Sequence, residues 1–92
     1  DLDDSYVVLY SNRSAAYLAN SEISKALKDA QKCVELDPTF AKGYSRLASA
    51  LFGLKRFEKA KEAYLMVLEK DADNKAAQQG VSACDKELEK IR

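Results

Sequence analysis

Shifted against itself by 34 residues, the chain matches its own chemistry: Tyr10 falls on Tyr44, Ser11 on Ser45, Ala16 on Ala50, Lys25 on Lys59, Ala26 on Ala60, Glu35 on Glu69 and Asp37 on Asp71. This constrains the fold more than any other feature. A unit that recurs at such a period cannot bury its apolar side alone and must stack on its neighbour. Within each period the apolar spacing is helical. "SYVVLYSNRSAAYLA" carries Val7, Tyr10, Ser14, Tyr17 and Leu18 at that spacing, and "SKALKDAQKCVEL" carries Ala26, Leu27, Ala30, Cys33, Val34 and Leu36. Polar "NSE" separates these two segments. "DPT" ends the second, because proline suits the first turn of a helix and not its interior. "AKGYSRLASALFGL", "FEKAKEAYLMVLEKD" and "NKAAQQGVSACDKELEKIR" predict three more helices. The class is all-α, and connections of a few residues make successive helices antiparallel.

A helix-turn-helix unit of this period resembles the tetratricopeptide repeat. Closed at Pro38, the first repeat is 7–40, the second is 41–74, and a capping helix occupies 75–92. The resemblance implies a superhelix of antiparallel helix pairs. Tyr10, Tyr17, Ala26, Ala30, Cys33, Pro38, Tyr44, Leu51, Ala60, Tyr64 and Val67 stand at the packing positions. Ala26 and Ala60 allow close helix approach, and the larger residues fill the gaps. Arg13 departs from the usual Leu, and Ala72 replaces the closing proline. The last helix carries Ala76, Val81, Cys84, Leu88 and Ile91 on one side with polar residues elsewhere, as a cap requires. The N-terminal end has no such device, and two repeats are fewer than the three that normally bury a continuous core. An upstream repeat is therefore expected before Asp1, together with self-association of a chain that lacks it.

Composition excludes several functions. Lys and Arg number 15, as do Asp and Glu, for a net charge of zero. A general nucleic-acid binder needs a basic excess. No apolar run approaches the roughly 20 residues of a membrane span. There is no histidine, so neither a Ser-His nucleophile nor a Cys/His zinc site can be assembled. No cofactor motif appears. The chain reads as a binding module and not an enzyme. Cys33 and Cys84 read as reduced, buried core thiols, which places the chain in the cytoplasm. Asp3 with Asp4, and Asp71 with Asp73, fall at helix boundaries and are expected to cap or solvate them.

In such a stack the first helix of each pair lines the concave, binding face. Asn12 and Arg46 hold the same position in successive repeats, and Lys42 precedes Arg46 by one turn. Ala15 and Ser49, then Ala19 and Gly53, form a low floor, flanked by Leu18 and Phe52. An amide, an ammonium and a guanidinium without a carboxylate among them suit a ligand rich in anionic oxygens, such as a peptide C-terminus ending in Asp. The alternatives are a solvated face for Lys42 and Arg46 and a local backbone role for Asn12.

"LYSNRSAAY" followed by "KGYSRLASAL" is similar to the tetratricopeptide domains of chaperone adaptors, above all the Hsp-organising co-chaperones. The likeness extends to "NKAAQQG". It implies a two-carboxylate clamp for the EEVD tails of heat-shock proteins 70 and 90. Asn12 would hold the terminal carboxylate, Lys42 the carboxylates of the final Asp, and Arg46 the peptide beside it. Leu18 and Phe52 would meet residues upstream of EEVD. Immunophilin, phosphatase or small glutamine-rich co-chaperones with the same clamp are the alternative parents. A structural module holding an internal or partner helix is a third reading.

Overall fold

The computed structural model describes residues 4–91. They form five helices and no strand: α1 (Asp4–Ala19), α2 (Ile23–Leu36), α3 (Ala41–Gly53), α4 (Phe57–Lys70) and α5 (Lys75–Ile91). Each helix packs on the next in the chain. α1 also meets α3, and α3 meets α5, whereas among the described residues the backbones of α2 and α4 do not come close. The odd-numbered helices therefore make a continuous inner layer and the even-numbered helices a separated outer one. That difference in spacing curves the stack around the α1–α3–α5 side.

The period is visible in the backbone. Ser21 and Lys55 are the non-glycine residues with positive φ, at 63° and 62°. They stand at equivalent positions. Glu22 N–H donates to the Tyr17 carbonyl at 2.8 Å, and Arg56 N–H to Leu51 at 2.9 Å. Each is the long bond of a Schellman turn with a left-handed residue after the helix. The other junctions repeat too. Phe40 N–H donates to the Asp37 carbonyl and Asn74 N–H to Asp71, both at 3.1 Å. Pro38 lies inside the first of these turns, before the first turn of α3. Ala72 closes an equivalent turn, because position two needs only a φ that proline pre-sets and alanine can adopt. Asp37 accepts from the Thr39 amide at 3.0 Å and the Thr39 hydroxyl at 2.5 Å. Those bonds hold its carboxyl below the ordinary range. The cap of α5 is Asn74, whose Oδ1 accepts from Ala77 N–H at 2.9 Å. The neighbouring acids Asp71 and Asp73 are exposed. Asp3 lies outside the described residues.

The core is built from small residues. Ala26, Ala30, Ala48, Ala50 and Ala60 are fully buried. Where α1 crosses α2, the Ser14 hydroxyl donates to the Ala26 carbonyl at 2.8 Å. Cys33 and Cys84 are both buried and unpaired. α5 faces the stack with Ala77, Gly80 and Cys84, and Ala76 is exposed. Gly80 explains this rotation, because a Cβ there would lie 2.5 Å from the Tyr64 ring. The side chain of Ile91 lies outside the described residues. On α1, Tyr6, Val8 and Leu9 are exposed.

Gly80→Ala should lower stability by about 1–3 kcal/mol through overpacking. Gly53→Ala should be near neutral. The nearest atoms its Cβ would meet belong to the flexible Ile23 side chain, at 3.2 Å, and alanine gains about 1 kcal/mol over glycine in a helix. Urea denaturation of both variants checks the contrast. Burial pushes both thiols up from their ordinary pKa. Neither should react with a thiol reagent near neutral pH until the chain unfolds, and labelling rates with and without denaturant measure this.

Candidate functional site

Lys42, Arg46, Ser49 and Gly53 recur along one stripe of α3. The flank of the helix next to this stripe is fixed by Gly43. It is buried against α2, where an added Cβ would lie 2.9 Å from the Cys33 sulfur and 3.1 Å from Val34. Gly43 is small because two helices meet there. That contact turns Lys42, its exposed neighbour, toward solvent.

Arg13, Lys25, Lys61 and Lys90 each have a carboxylate partner. Among the described residues Lys42 and Arg46 have none. Arg46 is half-buried, and its Nε is enclosed without a hydrogen-bond acceptor. The stripe therefore keeps two uncompensated cations and an unused donor.

The other residues expected at the site divide between groove and core. Asn12 is exposed on α1. It borders a hollow of about 550 Å³ with Tyr6, Leu9, Tyr10 and Arg13. Ala15, Leu18 and Ser49 are half-buried. Phe52 turns partly inward, against the core and edge-on to Phe57, with ring centroids 5.1 Å apart. Its contribution to packing is therefore direct.

Two features of this region were not evident from the stripe alone. Tyr64 reaches from α4 between α3 and α5, with its hydroxyl close to Ser49, and burial pushes its pKa up. At the edge of the stack, Arg13 grips Asp29 of α2 with two bonds, Nε to Oδ2 at 2.6 Å and Nη2 to Oδ1 at 2.8 Å. Its guanidinium lies over the Tyr10 and Tyr17 rings, 5.6 and 5.9 Å from their centroids. The pair is a polar device at the N-terminal edge, where the sequence suggested none. The signal was present: the equivalent positions hold Leu47 and Ala63, so an apolar pair has been exchanged for a charged one in register.

Asp29 is buried while Arg13 is largely exposed. Arg13→Leu alone should therefore lower the melting temperature, by stranding a buried carboxylate. Arg13→Leu with Asp29→Ala recreates the Leu47–Ala63 pair and should recover most of that loss. Thermal denaturation of the single and double variants tests this.

The stacked hairpins and their open, cationic inner face define a helical-repeat binding module. The tetratricopeptide repeat family model matches residues 17–84, and the chain belongs to that family. It is 44% identical over 81 residues to Hsp70-Hsp90 organizing protein 2 of Arabidopsis thaliana, covering 88% of this chain and 14% of that protein. It is 49% identical over 74 residues to the heat shock protein STI1 of Saccharomyces cerevisiae, covering 80% and 13% respectively. The chain thus spans about one-seventh of these relatives. Among solved structures, it superposes on the first such domain of Spaghetti (RPAP3) bound to the HSP90 peptide SRMEEVD, with a TM-score of 0.89 and 32% identity. That alignment covers 94% of this chain and 70% of the other. The second domain of human RPAP3, in complex with the HSP70 peptide SGPTIEEVD, aligns with a TM-score of 0.82 and 29% identity, covering 86% and 66%.

Proposed function

We propose that this chain is a co-chaperone adaptor domain that binds the C-terminal EEVD tails of heat-shock proteins 70 and 90 along its inner face. The observation that carries this reading is the pair of cations one turn apart on a single stripe of α3, Lys42 and Arg46, neither with a carboxylate partner among the described residues and Arg46 with an enclosed Nε that has no acceptor. The peptides held by similar domains, SRMEEVD and SGPTIEEVD, end in the two adjacent carboxylates that such a pair would accept. Asn12 takes the terminal carboxylate, Lys42 the carboxylates of the final Asp, and Arg46 the neighbouring peptide. Ala15 and Ser49 keep the floor low, and Leu18 with the outward edge of Phe52 meets apolar residues upstream. The domain acts by binding and not by catalysis, in the cytoplasm, with repeats at 7–40 and 41–74 and a capping helix at 75–92.

Charge-assisted hydrogen bonds contribute roughly 1.5–3 kcal/mol each, so a few bring a peptide near the −8 kcal/mol of a micromolar complex. Lys42→Ala and Arg46→Ala should each weaken a free-acid EEVD peptide about tenfold or more with helicity unchanged. Amidating the peptide should have a comparable effect, and salt should weaken the wild-type complex. Calorimetric titration measures all three. Equal affinity for acid and amide, together with wild-type affinity in both variants, would refute the assignment.

A further inference from the structure

The register between α2 and α3 is fixed at two points. Gly43 rests on Cys33 and Val34, and Gly53 rests on Ile23. Between these anchors the helices run antiparallel, so one turn beyond Gly43 on α3 faces one turn before Cys33 on α2. Arg46 thus stands opposite Ala30, which is fully buried. The enclosed Arg46 Nε agrees with that placement, as does the influence of the Arg46 charge on the Cys33 thiol.

One repeat later the same facing pair is Tyr64 on α4 and Gly80 on α5. There the sizes are exchanged. The Tyr64 ring fills the space, and a Cβ on Gly80 would lie 2.5–2.6 Å from three of its atoms. A long side chain on the inner helix requires a small partner on the outer helix, and a large outer partner requires none on the inner.

We infer that Ala30 is a positioning residue for the groove: by leaving its site empty of side chain it admits Arg46, and Tyr64 closes the equivalent site on α5 to any cation. This deepens the peptide-binding reading and rests on it for its functional consequence. Ala30 itself is buried and touches no ligand. Its role is to decide that the cationic stretch of the inner face ends at α3. Beyond that point the equivalent site offers the Tyr64 hydroxyl beside Ser49.

The test is Ala30→Tyr, alone and with Arg46→Gly. Ala30→Tyr should weaken a free-acid EEVD peptide about tenfold, the size predicted for Arg46→Ala, and flatten its salt dependence. Combined with Arg46→Ala, it should add no further loss. Ala30→Ser, which keeps the site small, should bind as the wild type does. Ala30→Tyr should also lower the melting temperature, and Arg46→Gly should recover most of that loss by rebuilding the Tyr64–Gly80 arrangement, without recovering affinity. Unchanged affinity in Ala30→Tyr would overturn the inference. So would a double variant no more stable than the single one. Where Ala30→Tyr alone does not fold, folding of the double variant supports the inference and its failure to fold overturns it. The stability cycle needs no peptide. It therefore stands apart from the acid-against-amide titration, whose failure would remove the peptide reading instead.

Discussion

Close antiparallel approach of helices through small residues is the constraint on which the rest of this molecule depends. Ala26, Ala30, Ala48, Ala50 and Ala60 are fully buried, and Gly43 and Gly80 lie in contacts that a methyl group would crowd. Small residues bring little apolar area each, so stability comes from many short contacts repeated along the stack. They also fix register. Once Gly43 is seated on Cys33, the azimuth of Lys42, Arg46 and Ser49 is no longer free, and the inner face inherits its chemistry from the packing beneath it.

The chemistry of that face follows from what is left unpaired. Lys61 meets Asp85 and Arg13 meets Asp29, while Lys42 and Arg46, neighbours on one stripe of α3, meet no carboxylate among the described residues. An exposed ion pair contributes little to stability. Leaving two cations single therefore costs the fold little and gives an anionic ligand two strong donors. The curvature brings α1, which carries Asn12, beside α3.

Much of this was legible in the chain. The 34-residue period located all five helices, since left-handed turns at Ser21 and Lys55 and tight turns at Asp37 and Asp71 recur with it. The cation stripe was legible because it requires only helical spacing within α3. The rest depends on contacts between elements. Helical spacing puts Ala76 on the buried side of α5, but the Tyr64 ring over Gly80 rotates the helix so that Ala77 faces inward. Phe52 is half-buried, and its edge contact with Phe57 gives it a packing role that the α3 spacing alone does not show. Arg13 departs from the repeat pattern, and its partner Asp29 sits on another helix 16 residues away, beyond the reach of periodicity.

The central claim is that the inner face of α1 and α3 grips the carboxylate end of a peptide. Mapping backbone amide shifts while a free-acid EEVD peptide is titrated into the chain tests it most directly. Asn12, Lys42, Arg46 and Ser49 should move together and saturate at one affinity. Shifts confined to outer-layer residues such as Gln31, Glu62 and Met66, with the α3 stripe unmoved, would contradict it.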